Sequence, residues 1–415
     1  MRRPFDLKEH PMANGKTYTG PAILSAGFRP FFLLASGFAA LAVAVWLAIW
    51  TGFITLSSDF SPVDWHVHEM IFGYGAAVVA GFLFTAVPNW TGRLPTRGMP
   101  LAGLALVWLA GRLASAGLLP LGPVAVLGVD QAFLLLVGAM IAREIVAGRN
   151  WRNLKVLVPV TLFWVANLAY HVEAMTTGSA SSGHRIGIAI LIFLIMLIGG
   201  RIIPSFTRNW LVKQGGTRLP VPFDRFDGFA ILTAVIALAF WVLQIEGPIA
   251  TILLGFAGFV QLARLTRWRG ERTLRSPLLF MLHVAYGFIP VGFLSAALSA
   301  AGVVSAAATL HLFGAGAVGA MTVAVMVRAT LGHTGRDLVA GPVATGAFVA
   351  LTLATLLRVI AEVDGVNRDV FVESAGILWV CAFAFVAGKI CLAVTSDKPR
   401  RKRPSSAAGH GDQGR

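Results

Sequence analysis

Trp65-His66-Val67-His68-Glu69-Met70, running into the apolar stretch Ile71 to Val87 and closed by Pro88-Asn89-Trp90-Thr91-Gly92-Arg93, reads as one membrane-spanning helix that begins with two histidines and an acid. Ionisable groups inside a span are costly and therefore carry a functional presumption. Helical residues two apart point about 200° away from each other, so His66 and His68 cannot share a face unless the chain is still extended there. One imidazole is expected to face the interior while the other serves a second partner. Below His66 on its own stripe come Met70, Gly73, Ala77 and Gly81, and below His68 come Phe72 and Gly75. A glycine about two turns beneath each ring leaves room for a flat cofactor. The competing reading of the same pattern is an ordinary small-residue packing face, with the histidines wetted at the headgroup level.

Working outward, the same kind of apolar run recurs along the chain. Of 415 residues 56% are hydrophobic and only 13% charged, which excludes an ordinary soluble domain and predicts an all-α polytopic membrane protein. Twelve spans of bilayer length are expected, roughly at 30–52, 66–88, 100–119, 122–146, 154–174, 184–206, 227–245, 248–266, 278–300, 303–327, 339–360 and 371–394. They define a cytoplasmic N-terminal segment 1–27, a transmembrane domain 28–395 and a basic tail 396–415.

A net charge of +15 invites a nucleic-acid reading, but its distribution argues against one. Arg2, Arg3, Lys8, Lys16 and Arg29 precede the first span. Alternate loops then carry Arg93 and Arg97; Arg149, Arg152 and Lys155; Arg208, Lys213, Arg218 and Arg225; Arg267, Arg269, Arg272 and Arg275; and Arg336. The intervening loops hold chiefly Arg185 and Arg368. The positive-inside rule then puts both termini in the cytoplasm and makes Lys398 to Arg403 a solvated stop signal. No cleavable signal is expected, because a polar stretch separates the first basic residues from a full-length span. Cys381 and Cys391 are about 15 Å apart by helical rise, too far for a disulfide within one helix.

In chain order, Gly27-Phe28-Arg29-Pro30-Phe31-Phe32 reads as an interfacial anchor opening the first span. Asp64 is placed to cap the second helix, so His66, His68 and Glu69 lie at its outer, periplasmic end. Arg112, inside the third span, demands an anion, supplied either by Glu69 or by an acidic group of a cofactor. His171 and His184 read as boundary residues on that same outer side. Spans seven and eight are polar-poor and are assigned to scaffolding. His283 lies in the inner half of span nine, as packing residue or ligand. His311 is expected about 12 Å deep in span ten, followed by a glycine stripe, whereas His333 falls in a loop.

Spans two, six and ten end alike, in Pro88-Asn-Trp-Thr-Gly-Arg93, Pro204-Ser-Phe-Thr-Arg208 and Gly332-His-Thr-Gly-Arg336, and each begins near a histidine. The intervals are 208 − 93 = 115 and 336 − 208 = 128 residues, which predicts three four-helix units. Three like-oriented units would bring these spans around a common interior. Histidines converging in its outer half suit iron or copper.

Taken together, Gly-Phe-Arg-Pro-Phe-Phe at 27–32, Trp-His-x-His-Glu-Met at 65–70, Gly-Phe-Leu-Phe-Thr-Ala-Val-Pro-Asn-Trp-Thr-Gly-Arg at 81–93, Gly-Gly-Arg-x-Ile-Pro at 199–204, Pro-Leu-Leu-x-x-Leu-His at 277–283 and Arg-Ala-Thr-Leu-Gly-His-Thr-Gly-Arg at 328–336 resemble the NnrS family of membrane proteins, from about residue 20 to about 395. Ser276 and Phe280 depart from the expected Arg and Trp. The resemblance implies a twelve-span bacterial inner-membrane protein containing haem b and copper and associated with denitrification and tolerance of nitric oxide. His66, His68, His283, His311 and His333 match the family's histidine-bearing motifs. From the residues themselves, His66, His68, His283, His311 and Arg112 are the candidate cofactor-binding set, and His66, His68, His311, Glu69 and Met70 the candidate metal ligands. The layout is also similar to the catalytic subunit of haem–copper oxidases and nitric-oxide reductases. It lacks their paired histidines on span seven and their His-x-His on span ten, which speaks against a proton-pumping oxidase. The expected function is binding or detoxifying nitric oxide, or protecting metal centres from it, with catalysis versus binding left open. The alternative is a secondary transporter with a midplane site, suggested by twelve spans and by Arg112 and Arg201.

Overall fold

The computed structural model describes residues 18–396. The first basic cluster and the tail from Lys398 to Arg403, on which two of the topology expectations rest, lie outside the described residues. Twelve long helices follow one another: α1 (Phe28–Trp50), α2 (Pro62–Thr91), α3 (Met99–Ser115), α4 (Pro123–Ala147), α5 (Leu157–Thr177), α6 (Ser182–Lys213), α7 (Arg225–Val242), α8 (Pro248–Thr266), α9 (Pro277–Ala300), α10 (Ala306–His333), α11 (Gly341–Ile360) and α12 (Arg368–Thr395). Eleven are long and apolar enough to cross a bilayer, and α3, with 17 residues, is the short one. The chain is a multi-pass membrane protein. α2 and α6 run on past Pro88 and Pro204 to Thr91 and Lys213, further than the prolines suggested.

Local chemistry sets the helix starts. Ser61 accepts from the Asp64 amide at 3.2 Å and so caps α2, taking the position expected for Asp64. Ser305 caps α10 in the same way, and Asp224 with Asp227 forms a reciprocal capping box on α7. Pro62, Pro100, Pro123, Pro248 and Pro277 occupy first turns, where a missing N–H costs nothing.

The three expected units acquire a structural mark that composition does not show. α2, α6 and α10 each carry a π-helical segment, at Glu69–Gly75, Ile195–Gly199 and Leu312–Gly319. Their starts are separated by 195 − 69 = 126 and 312 − 195 = 117 residues, close to the sequence intervals. These three helices also touch pairwise. Gly187 of α6 approaches Ile71 and Phe72 of α2, Tyr74 of α2 hydrogen-bonds Thr322 of α10, and the Arg328 guanidinium of α10 lies 3.9 Å over the Phe206 ring of α6. α7 and α11 instead turn Leu232, Ile236, Val349 and Leu353 outward, as lipid-facing helices should.

First and last helices close the bundle. Arg29 donates from Nη1 to the Val394 carbonyl at 2.6 Å, and Trp379 donates to the Ala39 carbonyl at 3.1 Å. This corrects the anchor reading of residues 27–32: Phe28, Arg29, Phe31 and Phe32 are buried, Arg29 against α12, Phe28 against His333 and Phe31 and Phe32 against α2, rather than facing the interface. Cys381 and Cys391 are free, as their spacing required.

Candidate functional site

The two histidines of α2 diverge as helical geometry demands, into two separate groups near the face opposite the basic loops. His68 turns into the first unit. Its Nδ1 lies 3.0 Å from Glu69 Oε1 and its Nε2 3.0 Å from Asn167 Oδ1 and 3.3 Å from Asp130 Oδ2, so the ring meets oxygen acceptors on both sides. Arg112 of α3 donates from Nη1 to Glu69 Oε2 at 2.6 Å and from Nη2 to Asp130 of α4. Asn167 and His171 of α5 both donate to Asp130 Oδ2, at 2.7 and 3.1 Å. Phe60, Phe72 and Tyr170 wall the group, and all six polar residues are buried.

Here the chain resolves the question of Arg112's anion: it is Glu69, with a second carboxylate from Asp130. The signal for Asp130 was a lone acid inside an otherwise apolar span. His171 joins the interior, not the boundary to which it was assigned. Trp108 Nε1 of α3 donates to the Gly73 carbonyl at 2.9 Å within the π-segment, tying α3 to α2 beside the junction.

Ligand atoms of His68, Asp130 and His171 lie within 4.8 Å of one another, so this buried His–Asp–His group is able to hold a metal ion. Its atoms are already engaged, however. Asp130 Oδ1 takes Arg112, Oδ2 takes Asn167 and His171, and His68 has a partner at each nitrogen. A cation entering there would have to displace a guanidinium or a ring proton.

His66 belongs to the other group. Its ring stacks on Trp46 of α1, centroids 4.8 Å apart and planes at 23°, and its buried Nδ1 has no hydrogen-bond partner. His311 of α10 and Arg358 of α11 are among the ionisable groups nearest to it. The His311 Nδ1 is tied to the Ala307 carbonyl at 2.8 Å, which leaves Nε2 as the nitrogen with a free lone pair. Because α10 begins at Ala306, His311 sits about 8 Å along its helix and not the expected 12 Å. His66 sits about 6 Å along α2, so the two histidines lie at similar distances from the starts of their helices.

The space expected below the two histidines is filled. A Cβ at Gly73 would come within 3 Å of Arg112, Glu69 and Phe38, one at Gly81 within 3 Å of Phe32, and one at Gly75 at 3.3 Å from Leu191. The stripe on α2 is a packing face, and the flat-cofactor reading of it is corrected accordingly. On α10, Gly316 and Gly319 pack against Phe288 and Trp379, whereas Gly314 has nothing within 4 Å.

Other candidates lie apart from both groups. Met70 packs on the hydrophobic core. His283 places Nε2 2.9 Å from Thr207 Oγ1 and its ring against Gly270, toward the basic face. His333 closes α10 against the Phe28 ring. Spans seven and eight, read as polar-poor scaffolding, carry a buried ion pair between them. Arg264 of α8 is fully buried, donating to Asp227 of α7 at 2.8 Å, to Tyr286 at 2.8 Å and to the Met196 carbonyl at 3.0 Å.

Among the described residues, twelve helices, three of them π-segmented and in mutual contact, define a multi-pass membrane protein with a buried His–Asp–His group inside its first helices. The sequence profile of the NnrS protein matches residues 22–396, and the chain belongs to the NnrS family. No curated protein matches it.

Proposed function

We propose that the chain is a metal-containing membrane protein of the nitric-oxide response, binding or detoxifying nitric oxide or protecting other metal centres from it, with His66 and His311 as its metal ligands. Family membership supports the nitric-oxide setting. The observation that carries the ligand assignment is the buried, unpartnered Nδ1 of His66 beside a His311 whose other nitrogen is fixed by a backbone carbonyl. An orphaned buried nitrogen costs about 1–3 kcal/mol, a cost that ligation removes. Two neutral imidazoles suit haem b iron, and copper equally. For a planar haem the stripe on α2 has no room, and Gly314 is the position of these stripes that faces open space. Haem iron held by one of these imidazoles, or copper held by both, would supply the coordination position that nitric oxide needs. The chain's own contributions are the Ala307 carbonyl that orients His311 and the Trp46 face that holds His66.

The transporter reading drew on twelve spans and on Arg112 and Arg201 as buried cations, and Arg201 is exposed beside the Phe223 ring. With two carboxylates on it, Arg112 is not available to an anionic substrate. The deciding experiment takes the purified full chain, measures iron and copper per protein, and records spectra oxidised, reduced and exposed to nitric oxide. His66→Ala and His311→Ala are each expected to lower metal content about tenfold or more. Unchanged iron and copper in His311→Ala would overturn the assignment.

A further inference from the structure

At the opposite end of α2 from the histidines, a recess of about 420 Å³ opens between the α2–α3 loop and the end of α4, lined by Arg93, Leu94, Arg97, Met140, Arg143 and Glu144. Three arginines face one glutamate, an excess of 3 − 1 = 2 positive charges. Glu144 is committed to Arg93, whose Nε donates to it at 2.7 Å, and stands at 4.0 Å from Arg143. Arg97 has no ion pair among the described residues, and its buried Nε has no hydrogen-bond partner. Burying a guanidinium N–H unpaired is costly, so this geometry favours an anion in the recess. Guanidinium groups match phosphate oxygens in shape and charge.

Position distinguishes among phosphate sources. The recess lies where three membrane helices end or begin, and Leu94 and Met99 at its edge are more than half exposed. An apolar rim beside an arginine-lined pocket suits acyl chains below a charged headgroup, and basic pockets between membrane helices bind such lipids. We infer that the Arg93/Arg97/Arg143 recess is a phosphate-binding site filled by the headgroup of an anionic phospholipid. It uses no residue of the histidine groups and stands independently of the metal assignment.

The test uses native mass spectrometry of the full-length protein taken from nanodiscs of equal phosphatidylglycerol and phosphatidylcholine. Wild type is expected to retain phosphatidylglycerol preferentially. Arg97→Gln/Arg143→Gln should lose that preference, by about fivefold for each arginine removed. Glu144→Gln, which raises the local excess charge, should strengthen retention, and it decides the matter alone if the double variant does not fold. Equal retention by wild type and variants overturns the site. Displacement of the retained lipid by millimolar inorganic phosphate overturns the lipid assignment and leaves a site for free phosphate.

Discussion

His66 and His68 are separated by one residue and by the whole difference between an open and a closed polar environment. His68 has both nitrogens matched and an arginine shared between two carboxylates behind it, so its removal should loosen the first unit before it touches metal. His68→Ala is accordingly expected to lower thermal stability while iron and copper per protein stay within about twofold of wild type, the reverse of His66→Ala. A parallel tenfold metal loss in His68→Ala would place the metal in the His–Asp–His group instead. Arg112→Leu leaves Glu69 and Asp130 buried without their cation, at an expected cost of about 3–5 kcal/mol, read from thermal or denaturant unfolding. Restoring stability by adding Glu69→Gln and Asp130→Asn would show that the loss is electrostatic. Glu362, outside the spans, behaves differently. Burial disfavours its charge, but Arg358 at 2.5 Å, Ser305 and Arg368 outweigh that and hold its carboxyl below the ordinary 4.5. A lowered folded value means stability that is present above the unfolded value and lost as pH falls through the folded one. The stability gap between wild type and Glu362→Gln should therefore be full at neutral pH and close below about pH 4. A gap that widens on acidification would refute the pairing.

Ordinary helical geometry lets α2 serve two polar groups at once, and Gly73 must be glycine because its absent side chain is the place where Arg112, Glu69 and Phe38 meet. Gly73→Ala should destabilise by about 1–3 kcal/mol, as overpacking does, whereas Gly314→Ala, in open space, should fall within about 0.5 kcal/mol of wild type. Thermal unfolding of the two variants side by side makes the comparison, and equal effects would remove the close-packing argument. Most of this element-level order was legible beforehand. Apolar runs gave twelve spans to within a few residues, because a bilayer imposes both length and composition. Recurrent terminal motifs singled out spans two, six and ten, the helices that carry the π-segments. The π-segments were not legible, since a widened turn has no composition of its own and depends on what packs beside it. Asp130 and the Asp227–Arg264 pair escaped for a related reason: one charged residue barely alters an eighteen-residue hydropathy window, and its partner lies on another helix. His171 was misread because a histidine near a span end looks the same in sequence whether it faces water or an aspartate.

Across the whole molecule, the seam between α1 and α12 bears on orientation. Arg29, at the start of α1, reaches the carbonyl of Val394, at the end of α12, so both described ends of the bundle lie on one face. An even number of crossings requires just that. The same face collects the loops carrying Arg93 and Arg97, Arg149 to Lys155, Arg208 to Arg225 and Arg267 to Arg275. Short basic loops are retained on the cytoplasmic side because moving their charges through the bilayer is unfavourable, so we propose that this face is cytoplasmic and that the two histidine groups lie near the periplasmic side. Reporter fusions after Lys155 and Arg272 should then signal cytoplasm, and fusions within 176–183 and 361–369 should signal periplasm. The loop at 176–183 is the most exacting of these, because it sits between α5, which brings Asn167 and His171 to the first group, and α6, the second of the three π-segmented helices. A cytoplasmic signal at residue 180 would break the alternation at the centre of the chain. It would overturn both the orientation and the twelve-crossing arrangement that brings α2, α6 and α10 together with the same polarity.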